Sequence, residues 1–408
     1  MDGTIDYDIL ISGGGLVGAS LACALGGRGL RVGMIEAVPF GAVDQPSYDD
    51  RAIALAQGTQ RVFAGMGLWP ALEPRATPIH KIHVSDRGRF GFARLDRDEE
   101  GVPALGYVAL ARDIGATLGE RLATLSEVEL RCPASVVGVE TQPDSVRLRL
   151  ETPEGEQRLT TRLLVAADGA QSTLRELLQI PTSVWEYGQS AVIANVTPER
   201  PHQSIAYERF TDTGPIALLP MSENRCALVW TLRNDQVNAV MSLEDAEFLT
   251  RLQERFGNRL GRLQRVGHRV AYSLRLVRAR ESVRPRVALI GNAAHTLHPI
   301  AGQGFNLGLR DVAALAEVLL DAHRAGRDIG DLDVLRQYAA WRQADHRRVI
   351  AFTDSVTRMF SNALPPIAWA RDIGMLALDM FPPAKRLFAR TTMGRAGRLP
   401  RLARGLSL

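Results

Sequence analysis

Blocks of consecutive apolar residues, each followed by glycine and then by a helical period, open the chain. Residues 7–11 (YDILI) are apolar except at Asp8, as expected of a strand covered on both faces. GGGLVGASLACALGGRGL then carries a glycine turn into an Ala-rich helix, and 31–37 (RVGMIEA) reads as a second strand. Strand, glycine turn, helix and strand in this order predict a parallel unit. A polar stretch, VDQPSYDDR, leads into AIALAQGTQRVFAGMGLW, whose apolar spacing is helical, as is that of 111–125. Residues 79–108 break into short strands and turns. SVVGVETQPDSVRLRLET predicts a hairpin, and LLVAAD (163–168) a buried strand followed by a helix opening at STLRELL.

The period changes after residue 183. SAVIANV, SIAYERF, ALLPM and RCALVWTL alternate between apolar and polar positions, separated by Pro and Gly turns and by one helical stretch near 243–256. Alternation of this kind predicts antiparallel strands. VALI (287–290) is again a buried strand, and helices follow it. The expected class is α/β: a Rossmann-like nucleotide-binding domain, an inserted, mainly antiparallel β-sheet domain, and C-terminal helices. The boundaries expected are 1–75, 105–182 and 283–330 for the first, 76–104 and 183–282 for the second, and 331–408 for the helical end.

Composition narrows the class. With 408 residues the chain exceeds one ordinary core, and 46% hydrophobic with 23% charged residues is the balance of a globular protein. Cys23, Cys132 and Cys226 form no CxxC, which argues against a disulfide framework, a cysteine zinc site and a dithiol reductase. No apolar run approaches the roughly 18 residues of a membrane span. MDGTIDYDILISGGG is acidic and reaches glycine too early for a signal peptide, so a cytoplasmic setting is expected. Seven cations and no acids lie between Lys385 and Leu408; without them the net charge of +4 becomes about −3.

Three stretches carry candidate chemistry. Gly13-x-Gly15-x-x-Gly18 sits between a strand and a helix, where glycines permit a tight turn and close approach of a pyrophosphate. Glu36 closes the next strand, where an acid can accept hydrogen bonds from a ribose. Asp168-Gly169 ends a buried strand, with Ser172 and Arg175 following. GNAAHTLHPIAGQGFNLGLRD, 291–311, holds four glycines and two histidines before a helix whose positive end suits an anionic group. His295 and His298 are not expected to bind metal, since no acidic partner accompanies them. Tyr207, Arg209 and Trp230, on alternating strands, are read as sheet packing.

Taken together, these stretches resemble the FAD-dependent aromatic hydroxylases with the p-hydroxybenzoate hydroxylase fold. The resemblance is greatest to the hydroxylases of ubiquinone biosynthesis, and within them to the 2-polyprenyl-6-methoxyphenol hydroxylase branch. It spans nearly the whole chain, through DDRAIALAQGTQRVFAGMGLW and YERFTDTGPIALLPM, and is most specific at 291–311. The cofactor implied is FAD, with Gly13, Gly15 and Gly18 at the pyrophosphate and Glu36 at the adenosine ribose. Arg51 and Arg112 would contact phosphate or ribityl groups. Asp168 and Gly169 would support FAD and a transient NAD(P)H. Asn292, where most relatives have Asp, would meet the ribityl chain or pyrophosphate.

The resemblance further places His298 and Pro299 beside the isoalloxazine as the catalytic positions. Gly302, Gln303, Gly304, Phe305 and Asn306 would follow along its pyrimidine edge. The implied activity is an NAD(P)H-consuming monooxygenase that hydroxylates a polyprenylated methoxyphenol with dioxygen through a flavin hydroperoxide. Two other readings stay open: a flavin hydroxylase of another phenolic or secondary metabolite, and a non-catalytic flavin-bound scaffold. Because a prenylated phenol resides in bilayer or in a partner's tunnel, the basic C-terminal stretch is expected to allow peripheral contact with the inner face of a membrane or with a biosynthetic complex. No nucleic-acid partner is expected.

Overall fold

The computed structural model describes residues 4–39, 50–296, 303–360 and 365–408. Three sheets organise them. In the first, Tyr7–Ser12 lies between Gly155–Ala166 and Val32–Ile35, all parallel, with Val128–Arg131 and Val287–Leu289 extending the two sides. Their buried faces join the helices Leu16–Leu25, Ala111–Leu122 and Gln303–Arg324 in one large core. Ser135–Thr141 and Val146–Thr152 form the hairpin, which is laid antiparallel on Gly155–Ala166.

The second sheet has nine strands. Val270–Ala279, Thr182–Pro198, Cys226–Arg233, Gly214–Pro220, Ile205–Thr211 and Lys81–Asp86 follow one another across it. All of these neighbours are antiparallel except Ile205–Thr211 and Lys81–Asp86, which run parallel. One face packs on the helix Asp245–Phe256 through Trp230, Phe248 and Phe256, all fully buried. The other face looks toward the parallel sheet. The three-part domain division is a proposal that this membership supports, since strands from 81–96 and 182–279 share the second sheet.

One element departs from its sequence pattern. Residues 52–56 form the strand Ala52–Ala56, and the helix begins only at Gln57. AIALA has a helical period, but Ala52–Ala56 pairs antiparallel with Gly106–Leu110 in a small third sheet. Alanine is permissive in either state, so tertiary pairing decides. The chain end also differs from a free tail. Leu402, Ala403 and Leu408 are buried in the main core, and the Leu408 carbonyl accepts a 2.8 Å bond from Arg28.

Candidate functional site

A cavity of about 990 Å³ separates the parallel sheet from the inner face of the nine-stranded sheet. Its first wall is the glycine turn. Gly13 has φ +102°, and a Cβ there would stand 2.5 Å from the Ala167 carbonyl oxygen. A Cβ on Gly18 would lie 1.9 Å from the Gly13 oxygen. These two glycines therefore close the turn on itself. Gly15 differs: it is extended, at φ −63° and ψ 178°, caps the helix Leu16–Leu25, and faces the cavity. Glu36 braces the turn from behind, accepting the Gly14 N–H at 2.7 Å and the Val38 N–H at 2.9 Å.

The second wall comes from the ends of two more parallel strands. Asp168 Oδ2 accepts the Leu174 N–H at 3.0 Å, while its buried Oδ1 has no partner among the described residues. Burial raises this carboxyl above its usual range, against the lowering effect of the Ser172 hydroxyl and the backbone N–H groups. Ser172 itself accepts the Arg175 N–H at 3.0 Å and caps the short helix that follows. The Arg175 guanidinium binds the Ala170 carbonyl at 2.8 Å and the Ala293 carbonyl at 3.0 Å. One side chain thus ties the Asp168-Gly169 turn to the turn holding Asn292, which is exposed on the cavity wall.

The helix Gln303–Arg324 supplies the third wall. Gln303, Gly304 and Phe305 face the cavity at its N-terminus, and its first turn carries no acid. Asn306 is committed elsewhere: its Oδ1 accepts from the Ala56 N–H at 2.8 Å and the Thr59 hydroxyl at 2.6 Å, and its Nδ2 donates to the Ala54 carbonyl at 2.8 Å. It fixes the strand Ala52–Ala56 against the helix. Arg51 enters the cavity beside this strand, 5.8 Å from the Tyr272 ring centre. Arg112 stands outside the cavity lining, in an ion pair with Asp50. His298, Pro299 and Gly302 lie outside the described residues.

Behind these turns is a buried charge network that the motifs do not announce. Asp311, fully buried, accepts from His295 Nε2 and His346 Nε2 at 2.8 Å, from Arg342 Nε at 2.7 Å, and from the Gly291 N–H at 3.1 Å. Arg342 and Arg310 both pair with Asp345. Burial pushes the Asp311 carboxyl up, but His346, Arg342 and His295 hold it well below the usual range. The expectation that His295 has no acidic companion is therefore corrected: Asp311 and His346 are its companions. The carboxylate oxygens are already taken by a guanidinium, two imidazoles and an amide, a poor setting for a cation. Asp311 lay in the quoted motif; only the fold shows that Arg342 and His346 reach it.

The orphaned Asp168 oxygen, the outward-facing Gly15 and two helix N-termini on one cavity fit a flavin dinucleotide, whose hydroxyl and phosphate groups need an acceptor and donors respectively. Fold and cavity together define a flavin-binding protein. The chain belongs to the FAD-binding domain family, whose model matches residues 6–353. It is 41% identical over 404 residues to the ubiquinone hydroxylase UbiL of Rhodospirillum rubrum, covering 98% of this chain and 93% of that one. It is 32% identical over 391 residues to the 3-demethoxyubiquinol 3-hydroxylase of Escherichia coli, covering 95% and 98%. The fold is shared with the p-nitrophenol 4-monooxygenase PnpA of Pseudomonas putida, at a TM-score of 0.80 and 21% identity over 96% of this chain and 99% of that one. This protein is an FAD-dependent monooxygenase of the aromatic hydroxylase type.

Proposed function

We propose that the chain hydroxylates a polyprenylated methoxyphenol ring in ubiquinone biosynthesis, consuming NAD(P)H and dioxygen. The observation that carries this reading is the shape of the cavity. It runs from the glycine turn, along an aliphatic sheet face, to Met375 and Phe388 on the helices Pro365–Met380 and Pro382–Thr392, and to Met393 just after the second. A polar ring at one end and a hydrocarbon tail at the other suit such a lining. The names of the two relatives support the same substrate class.

Bound FAD supplies activation of dioxygen after reduction by NAD(P)H. Gly15, Asp168 and Asn292 would hold its phosphate and sugar groups, with Gly13, Gly18 and Glu36 shaping the turn beneath. The N-terminus of Gln303–Arg324 favours negative charge brought against it. The aliphatic wall excludes water from the reacting ring. Purified protein with 2-prenyl-6-methoxyphenol should oxidise NAD(P)H faster than without it, and release a product heavier by one oxygen atom. Uncoupled oxidation without product would count against this substrate. Unstimulated protein would favour the scaffold reading.

The two covering helices also bear on how such a substrate arrives. Their outer side exposes Trp369, Ile373, Met380, Phe381 and Leu387, with Phe90 against Trp369 at 5.8 Å. Of the seven C-terminal cations, Lys385 pairs with Glu99, Arg401 with Asp321, and Arg398 stacks on Trp341. Arg386 and Arg390 are exposed beside the apolar set. Membrane contact through this helix pair, with the last residues acting as a structural plug, is the reading these facts support. Among the described residues no helix is long and apolar enough to cross a membrane. Replacing Met380, Phe381 and Leu387 together with Ser should abolish flotation with anionic liposomes, while monomeric solubility and FAD content are kept. Flotation as strong as that of the unaltered protein would refute the contact.

A further inference from the structure

On the nine-stranded sheet, the row facing the cavity reads Val84, Glu208, Ala217, Val229 and Ile193, each directly opposite the next. Four members are aliphatic and one is a carboxyl. Glu208 sits mid-strand in Ile205–Thr211, with Ala206 and Phe210 beside it on the same face. Its neighbours of opposite phase, Tyr207 and Arg209, turn to the helix side. Tyr207 packs edge-on to Phe256, and Arg209 donates to the Phe256 carbonyl at 2.8 Å. Glu208 keeps access to the cavity and is otherwise enclosed by protein, so it is only half-buried by exposure yet poorly hydrated. No hydrogen bond or ion pair holds it among the described residues. A carboxyl has no structural reason to occupy this position, since an aliphatic residue would pack there at no desolvation cost.

We propose that Glu208 is a catalytic residue that accepts the phenolic proton of the substrate ring. This role rests on the phenol hydroxylase reading above. With the substrate bound, the carboxylate takes a hydrogen bond from the phenolic O–H. As the ring attacks the oxygen atom delivered by the established chemistry, that O–H bond breaks and a carboxyl O–H bond forms. The electron pair stays on the phenolic oxygen and feeds the ring. When the hydroxylated carbon loses its hydrogen as a proton, which the second atom of dioxygen takes up on its way to water, Glu208 returns its own proton to the phenolic oxygen. The ring is aromatic again and the carboxylate is restored. Burial raises the Glu208 carboxyl to about 7, which places a base of this kind near neutral operating pH.

The charged and titratable groups around it are otherwise engaged or distant in role. Arg51, Tyr272 and Arg275 are other ionisable residues on the cavity wall, and Tyr207 borders it with its ring packed on Phe256 behind the sheet. From the neighbouring strand, Asp86 pairs with Arg89 and His83 stacks on Phe92. From the covering helices, Asp372 pairs with Arg89, and Lys385 with Asp379 and with Glu99 of the short helix Arg97–Glu100, while Arg386 and Arg390 point to solvent.

The test titrates the FAD-loaded, oxidised full chain with 2-prenyl-6-methoxyphenol and with its methyl ether, following flavin fluorescence between pH 5.5 and about 9. The phenol should bind roughly tenfold more tightly once Glu208 ionises, because a charge-assisted hydrogen bond replaces a neutral one. The ether, lacking the O–H, should show no such gain. In Glu208→Gln the phenol's gain should vanish, and turnover should fall by roughly 10²- to 10⁴-fold, with the inflection near neutral pH gone from its profile. Glu208→Asp should restore part of both. Equal pH dependence of phenol binding in the Gln variant and the unaltered protein would overturn the role of Glu208 while leaving the phenol reading intact. If the unaltered protein bound neither ligand at any pH, the phenol reading itself would fall, and this role with it.

Discussion

Replacing Asp311 with Ala is expected to lower stability by about 3–5 kcal/mol, the usual cost of removing one partner from a buried ionic group. Four donors converge on this carboxylate, and Arg342 and His346 would be left with their charge or polar hydrogen facing protein. Asp345 compensates Arg342 only in part, since it is already shared with Arg310. The loss should appear as a lower urea midpoint and as weaker FAD retention, because the Gly291 N–H and His295 are both held by Asp311. The pH dependence has a definite sign. A carboxyl depressed in the folded state contributes stability above its unfolded value, about 3.9, and loses it as pH falls through the folded value. Asp311→Ala should therefore shrink the stability gap to the unaltered protein only at strongly acid pH. A deficit under about 1 kcal/mol at neutral pH would show that the network is dispensable.

How much of this was legible beforehand depends on the range of the interaction. The glycine turn, Glu36, the Asp168-Gly169 strand end and the helix starting near Gln303 are local patterns, so hydrophobic period and turn chemistry reveal them. The Asp311 network was hidden for a different reason. Its members come from positions 291, 295, 311, 342 and 346, and only the packing of two long helices brings them together. Ala52–Ala56 was misread because alanine states no preference and its partner strand lies some fifty residues away. Glu208 was missed by one residue of phase. Alternation in SIAYERF correctly turned Tyr207 and Arg209 to the packed side, and the same alternation puts Glu208 on the cavity side. Which face of a sheet borders a cavity is a tertiary fact.

The three glycines of the turn should respond differently to substitution, and Gly15→Val is the informative change. At Gly13 the backbone lies at φ +102°, and at Gly18 an added Cβ would collide with the Gly13 oxygen, so side chains there should damage the fold as well as the site. Gly15 has an extended backbone that valine adopts without strain, and it begins a ten-residue helix as its cap. Folding should survive. A valine side chain on the cavity wall would, however, stand where a pyrophosphate must approach the first-turn N–H groups, which no helical carbonyl accepts. Losing even one or two charge-assisted hydrogen bonds, each worth about 1.5–3 kcal/mol, weakens FAD by on the order of 10²-fold or more. Gly15→Val should purify colourless with an unchanged circular dichroism spectrum, and reconstitution titrations should show the weakened affinity directly. Gly18→Val should lose flavin and thermal stability together. A folded Gly15→Val protein carrying full FAD would mean that the pyrophosphate does not sit on this turn.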